Sequence, residues 1–598
     1  MGILQSALET YDNLSHLAGV AVEGKTPLAP VGFNTAKANV EITIDSDGNF
    51  VSASTTKEKI FFPVTEESAN RTGKSAKHHP HPLCDKLMYM RKANEKYVNQ
   101  LEEWCLSEFT DKRIEAVLKY VKKGTIENDI SEIKNIKDES FICWKVLSGD
   151  INDSGKDVVC KNPDIIQKYT NYYLKKSQGK KGFCYIKGKM LTLTDKHMKG
   201  VVPKHSTAKM ISANKNKNDK ENFVYRGRFI NSIEACTISF EASQKAHNAL
   251  KWIVENDGVN GGDRTFVVWN PHGKEMPKPV ISVFSSKNDE EKVQPTNYKD
   301  KLLKILEGYR QKMDFDDKAV IAIFDAATEG RLAITYYNEM PAFDFLERLR
   351  FWDETCKWLR DETPEGNSHL YYETSHPLRS IVDAAFGILR DGDDEKQEIK
   401  TEDKMIGQQM QRLFMCRLEK SKFPADIMRA AVNKCENLQV YSIKNREEQL
   451  SSTCAIIKKY RYDHKKEEWS MALEPNKKDR SYQYGRLLAV MEKAERDTYG
   501  GEEKRETNAI RLQSVFVKRP AYAAKIVLEQ LKSAYYPHLS VGAKIYYEGI
   551  IGEIMEIISQ CEPSAINKPL GETYLLGYYL QKNELYKKKN SNVDEEEE

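Results

Sequence analysis

From Asp479 to the end of the chain the hydrophobic pattern keeps a helical period, and this limits the folds open to the whole sequence. YQYGRLLAVMEKAERD, AYAAKIVLEQLKSAYY, VGAKIYYEGIIGEIMEII and TYLLGYYLQKNELYKKK read as four helical segments with short joints. They predict a helical bundle over residues 471–598. Upstream the period changes repeatedly. VEITIDSDGNFVSAS puts Val40, Ile42 and Ile44 on one strand face and supplies Asp47-Gly48 for a tight hairpin. KIFFPV, TFVVW, AVIAIF and RLAITYY are further strands, the last two joined by DAATEG.

Helices interleave with these strands. The first carries Ile3, Leu4, Ala7, Leu8, Tyr11 and Leu14 at helical spacing, and another is expected around Lys86–Trp104. Residues 108–164 read as helical and charge-mixed, with Trp104 and Trp144 in the core. EASQKAHNALKWIVENDG is bounded by Ser239 as N-cap and Gly258 as C-cap. Its buried stripe is Ala246, Ala249, Leu250 and Ile253; Lys245, Asn248 and Lys251 should face outward, and His247 is read as structural. FDFLERLRFWDETCKWLR repeats Phe345, Leu349, Trp352, Cys356 and Leu359 as one seam. SSKNDEEKVQPTN is a polar linker or insertion. The expectation is an α+β chain: a large mixed α/β N-terminal region (1–230), a central α/β region (231–470) and an all-helical C-terminal bundle (471–598).

At 598 residues the chain exceeds one ordinary core. No run of about 20 apolar residues is present, so no membrane partner is expected. The first helix has no basic stretch before it and carries Glu9 and Asp12, unlike a secretion signal. Eleven cysteines without a CxxC pair fit a reducing cytoplasm better than a disulfide framework or zinc site.

The distribution of charge points to a partner. Lys168–Arg228 holds 14 Lys and 2 Arg against Asp195, Asp219 and Glu221, a net +13 in a chain whose total is +3. A concentrated positive field attracts polyanions. Tyr169, Tyr172, Tyr173, Phe183, Tyr185, Phe223 and Tyr225 lie among the cations, and such rings stack on unpaired bases. Lys175, Lys176, Lys180, Lys181, Lys187, Lys189, Arg226 and Arg228 are the backbone-gripping candidates. Earlier, TEESANRTGKSAKHHPHP offers Asn70, Arg71, Thr72, Gly73, Lys74 and Ser75 on a loop between regular elements. Arg or Lys can bond guanine twice, and Asn can pair with adenine.

Rival chemistry is weaker. Thr72-Gly73-Lys74-Ser75 mimics the end of a phosphate loop, but Ser68 stands where its first glycine belongs. His78, His79 and His81 are metal-ligand types, yet Pro80 and Pro82 between and after them favour an extended connector. Asp325 could serve a metal-dependent nuclease only with converging carboxylates, and Glu329 alone is near; turn chemistry is the better reading. Asp316, Asp317 and Asp391–Glu395 read as solvated loops. GxSxG and GxGxxG are absent, so no catalytic residue and no cofactor is expected. Arg486, Lys493, Arg496, Lys518, Arg519, Lys525, Lys532 and Lys544 should lie on exposed bundle faces, and the acidic tail 594–598 should be disordered.

Several stretches carry a resemblance along nearly the full length: the ILQSALETYDNL helix, Arg71-Thr72-Gly73 leading to Leu83-Cys84-Asp85 and Tyr89, and Tyr225-Arg226-Gly227-Arg228 through ISFEASQKAHNALKWIV. IFDAATEGRLAITYY, YGRLLAVMEKAERD and YLLGYYLQKNELY continue it. In this order they make the chain resemble the large subunit of the type I-C CRISPR surveillance complex, Cascade; His81-Pro82 departs from the family's usual Asn-Phe. The resemblance implies a subunit without chemistry of its own. Guide RNA reads the target by pairing, while the large subunit reads a short flanking motif (the PAM) in the duplex. It would help open the duplex, hold the displaced strand and recruit a separate helicase-nuclease. Its other partners would be the guide ribonucleoprotein, the backbone subunits and a small subunit. The resemblance also implies that the bundle is made separately as that small subunit, with Met471 the candidate internal start. Lys465-Lys466-Glu467-Glu468 upstream is encoded almost wholly by purines, as a ribosome-binding site would be. The alternatives are a metal-dependent nuclease using Asp325 and a general RNA-binding assembly protein.

Overall fold

The computed structural model describes residues 2–20, 24–71, 78–91, 94–147, 157–176, 179–212, 229, 234, 236–278, 298–328, 330–361, 369, 371–391, 397–500 and 505–587. Thr72, Gly73, Lys74, Ser75, Phe223, Tyr225, Arg226, Arg228, the 285–297 linker, residues 392–396 and the acidic tail lie outside the described residues. The chain forms a mixed α+β fold in two compact units. One comprises 1–260, 264–276 and 315–342; the other comprises 261–263, 277–314 and 343–598. Residues 231–470, read as one region, thus contribute to both.

The first unit is built on two sheets and a two-stranded ribbon. The ribbon pairs β1 (Phe33–Lys37) with β4 (Lys59–Pro63). The first sheet has the order β3 (Phe50–Thr55), β2 (Val40–Asp45), β6 (Phe141–Leu147), β5 (Asp85–Lys86), with β2 parallel to β6. Val40, Ile42 and Ile44 face the core as their alternation predicts. Gly48 closes the hairpin with φ 75°, and a Cβ there would lie 2.7 Å from the Ala116 carbonyl. The β6 segment was expected to be helical. Its FICWKVL run buries both faces of a central strand, a pattern that its charged flanks obscure.

Helices α1 (Ile3–Asn13), α2 (Glu95–Cys105), α3 (Lys112–Lys123), α4 (Pro163–Lys176) and α5 (Phe240–Asp257) complete this unit with the hairpin β7 (Lys181–Cys184) and β8 (Lys189–Thr192). The second sheet runs β12 (Arg331–Pro341), β11 (Lys318–Thr328), β10 (Arg264–Trp269), β9 (Val259–Gly261). One apolar core joins α1, both sheets and α5, with Ala7, Ile42, Trp104, Trp144, Leu250 and Ala322 all inaccessible to solvent. Ser239 caps α5 by accepting from the Ala242 N–H at 3.3 Å, and Gly258 follows its end, as read. Asn248 and Lys251 do not face outward. Asn248 donates to the Ala29 and Pro30 carbonyls at 3.1 and 3.0 Å, and Lys251 to Asn34 Oδ1 at 2.6 Å. A helix packed on more than one side hides polar residues that a single-stripe reading assigns to solvent.

The second unit is mainly helical: α6 (Tyr298–Arg310), α7 (Ala342–Thr355), α8 (Leu378–Phe386), α9 (Asp403–Glu419), α10 (Ala425–Lys434), α11 (Ile443–Lys465), α12 (Arg480–Arg496), α13 (Pro520–Gln530), α14 (Val541–Ser559) and α15 (Thr573–Tyr586). The hairpin β13 (Lys357–Asp361)–β14 (Tyr371–Ser375) and ribbon β15 (Ile388–Asp391)–β16 (Gln397–Lys400) pack among them. The Phe345–Leu359 seam is therefore not one helix: it stops at Thr355, and Trp358 and Leu359 enter β13 by pairing with β14. Tertiary pairing overrides the local helical period there.

The bundle is present, and it is fastened to α11. Arg446 of α11 binds Glu506 at 2.6 Å, and Tyr579 of α15 donates to the Leu359 carbonyl at 2.9 Å. Within it, α12 and α15 touch backbone to backbone. A Cβ on Gly485 would lie 1.8 Å from the Tyr574 carbonyl oxygen, and one on Gly577 2.0 Å from that of Tyr482. Arg486, expected outside, is 2% exposed and donates to Gln581 Oε1, Gln483 Oε1 and the Pro475 carbonyl. Among the described residues no helix is long and apolar enough to cross a membrane.

Candidate nucleic-acid interface

The residues on either side of the loop expected to touch base edges are well bonded in the first unit. A helical turn at Glu66–Ala69 is capped by Thr65, whose side chain accepts from the Ser68 N–H at 3.1 Å. Asn70 donates to the Glu66 carbonyl at 3.0 Å, closing that turn. Arg71 follows, only 9% exposed, with its guanidinium on both oxygens of Asp85 at 2.7 and 2.5 Å. It also donates to the His79 carbonyl at 3.0 Å and lies 4.4 Å above the Tyr89 ring.

Asp85 is held from behind as well, accepting from the His81 and Lys86 N–H groups at 2.6 and 2.7 Å. The turn before it contains Leu83 at φ 67°, a costly backbone for leucine. Its carbonyl accepts from Trp144 Nε1 at 2.7 Å and from the Tyr97 hydroxyl. Burial, reinforced by the charges of Arg71, Lys199 and Lys86, holds His81 well below the ordinary imidazole range; its Nδ1 lies 2.8 Å from Ser68 Oγ. Arg71 was expected to approach the duplex; its guanidinium is held here by groups of the chain itself. It is committed to a buried carboxylate and staples the start of the 72–77 segment to the residues that follow it. The sequence signal for this was the Leu83-Cys84-Asp85 triplet, read only as a point of resemblance.

The lysine-rich segment divides in two. Lys168 binds Asp111, Lys187 binds Asp12 and Lys196 binds Glu67, at 2.8, 2.8 and 2.6 Å. Lys175 and Lys176 reach Glu108 and Glu103. A +13 count along the chain is thus partly neutralised in space by acids remote in sequence. Lys180, Lys181 and Lys189 are exposed, with no ion pair among the described residues. The aromatic residues divide too. Tyr169 and Tyr173 are core, packed on Trp104, Phe33 and Phe240, and Tyr172 lies along Trp104. Phe183 and Tyr185 stay out, 48% and 70% exposed, with ring centroids 6.1 Å apart. The register pairs Phe183 with Met190 and Lys181 with Thr192, so an aromatic and cationic face of the β7–β8 hairpin meets solvent.

A cleft of about 730 Å³ is bounded by residues on either side of the loop and by residues just before and after the hairpin. His78 and His79, beyond the loop, line it together with Lys96, Tyr172, Lys176 and Lys180. Glu66, Glu67, Glu103 and Asp195 line it as well, so its charge is mixed. Asp325, the nuclease alternative, sits within β11 and not in a turn, its Oδ2 3.3 Å from Arg264 Nε. No group of three or more His, Cys, Asp or Glu side chains is arranged for a metal among the described residues. Asp317, read as a solvated loop residue, is buried and holds His272 and Lys274 at 2.8 and 2.6 Å.

The β7–β8 hairpin thus presents exposed rings and lysines, the side-chain types that can bind a polyanion. The family model described as CRISPR-associated protein (Cas_Csd1) matches residues 8–586, and the chain belongs to that family. No curated protein matches it.

Proposed function

We propose that this chain is the large subunit of a type I-C RNA-guided interference complex. In this reading it recognises the PAM in invading double-stranded DNA, aids unwinding, steadies the displaced strand and recruits a helicase-nuclease. The cutting is left to that enzyme. The observation that carries the proposal is the common cleft: residues on both sides of the 72–77 loop and Lys180, next to the β7–β8 hairpin, line the same cavity. Family membership over residues 8–586 supports the CRISPR context. Thr72, Gly73, Lys74 and Ser75 would read the flank, with Asn70 and Arg71 fixing the start of the loop. Lys180, Lys181 and Lys189 would hold phosphates, and Phe183 and Tyr185 would stack on unpaired bases. The partners are target DNA, the guide ribonucleoprotein, the backbone subunits and the small subunit.

The test is target capture by the assembled complex across duplexes that differ only in the flanking bases. Capture that depends on the flank, and loses that dependence in Lys74→Ala, supports the proposal. Uniform capture would leave a general RNA-binding assembly protein. Magnesium-dependent cleavage by the purified chain, abolished by Asp325→Asn, would support the nuclease reading.

A further inference from the structure

Three cations outside the hairpin are set in one backbone register, and the first of them reaches Arg71. Lys199 pairs with Lys209 across an antiparallel bridge, and Lys209 pairs with Arg331 across a parallel one. The backbone fixes this register: Gly200 N–H donates to the Ala208 carbonyl at 2.9 Å, and Leu332 N–H to the Lys209 carbonyl at 2.9 Å. Like charges directly opposite in a ladder destabilise it. Yet Lys199, Lys209 and Arg331 have no carboxylate partner among the described residues. Lys199 Nζ donates instead to the Arg71 carbonyl, at the start of the 72–77 segment. A row of cations kept together without a counter-ion is a site prepared for an external anion.

We propose that Lys199, Lys209 and Arg331 form a phosphate-binding row that holds the backbone of duplex DNA next to the 72–77 loop. This rests on the DNA-reading role proposed above and adds a site separate from the hairpin lysines. Phosphate contacts of this kind fix register and carry no base information. The row would therefore set how deeply the duplex lies against the loop.

The site has its own signature. Burial, with the charges of Arg71, Lys209 and Lys86, draws Lys199 down to about 8, and burial lowers Lys209 as well. His81 also faces Lys199, held neutral by burial, while Asp85 is taken up by Arg71. A phosphate arriving at Lys199 favours its charged form and raises it again, so binding near pH 8 takes up a proton. Affinity for duplex should then fall as the pH rises from 7 to 9.

The experiment measures duplex binding by the full-length chain against salt and pH for the native protein, Lys199→Arg, Lys209→Gln and Arg331→Gln. Lys209→Gln and Arg331→Gln leave the Lys199–Arg71 contact in place, so loss there is not loss of the loop's anchor. Each should make the log–log salt slope shallower by about 0.9 without altering flank preference. Lys199→Arg, always charged, should bind and lose the decline between pH 7 and 9. If the native chain binds duplex while Lys209→Gln and Arg331→Gln leave the slope unchanged, the row is refuted and the DNA-reading role stands. If the native chain assembled in its complex captures no duplex, the role itself fails. Tight binding of inorganic phosphate with no effect of the variants on duplex would also refute the assignment.

Discussion

The two units each hold cations that are buried and cations that are exposed, and the contrast between the two kinds is instructive. The second takes some inside: Arg417 is 2% exposed and bound to Asp353 at 2.9 Å, Lys459 is buried against Asp463, and Arg446 against Glu506. Arg486 is buried on amide and carbonyl oxygens alone. The first unit ties Arg71 down in this manner and leaves Lys180, Lys181 and Lys189 in solvent. A buried guanidinium with its donors satisfied defines a packing, whereas an exposed lysine without a partner is available to a polyanion. The same residue type is thus scaffold where it is buried and paired, and a candidate contact where it is exposed.

The strongest challenge to this contrast is removal of a buried carboxylate. Asp353→Ala takes the buried carboxylate away from Arg417 and should cost about 4 kcal/mol, read as a lowered urea midpoint. Asp85→Ala should destabilise the first unit by a comparable amount, and it should also abolish flank-dependent capture; loss of stability alone would separate the clamp from the loop's role. Next in size are Gly485→Ala and Gly577→Ala, whose new methyl groups would meet facing backbone. Each should cost about 3 kcal/mol and leave duplex binding by the folded protein unchanged.

Acid stability should distinguish the units less sharply. Burial raises the Glu506 carboxyl, but the hydrogen bond and charge of Arg446, with those of Arg496, outweigh it and set the group below its ordinary value. The unfolded chain therefore binds this proton more readily. The stabilisation is complete above the unfolded value of about 4.3 and is lost as the pH falls through the lowered one. Glu506→Gln should flatten this acid limb. The smallest stability effect belongs to Lys180→Gln, Lys181→Gln and Lys189→Gln together, within about 0.5 kcal/mol of the native chain.

What the sequence revealed follows from how local each signal was. The hairpin at Gly48, the limits of α5 and the four bundle segments were legible because caps, turns and periodicity lie within a few residues. The β6 strand, the end of α7 and the burial of Asn248, Lys251 and Arg486 depend on neighbours far along the chain. The candidate interface was half legible for the same reason. Its lysines were obvious, but their neutralisation by Asp12, Glu67, Glu103, Glu108 and Asp111 is a fact of three dimensions. Met471 poses a related question. Trp469, just outside a fragment beginning there, is buried near Tyr482, and Arg446 and Leu359 outside it bind Glu506 and Tyr579. A separately made fragment should expose this surface, and replacing the Met471 codon should remove the fragment from a blot against the C-terminus.

The most direct test of outward-facing cations as the DNA grip is the salt dependence of duplex binding by the triple variant Lys180→Gln, Lys181→Gln, Lys189→Gln. Three lost phosphate contacts should lower the log–log slope by about 2.7, with the thermal midpoint preserved. A slope and affinity equal to those of the native chain would contradict the account.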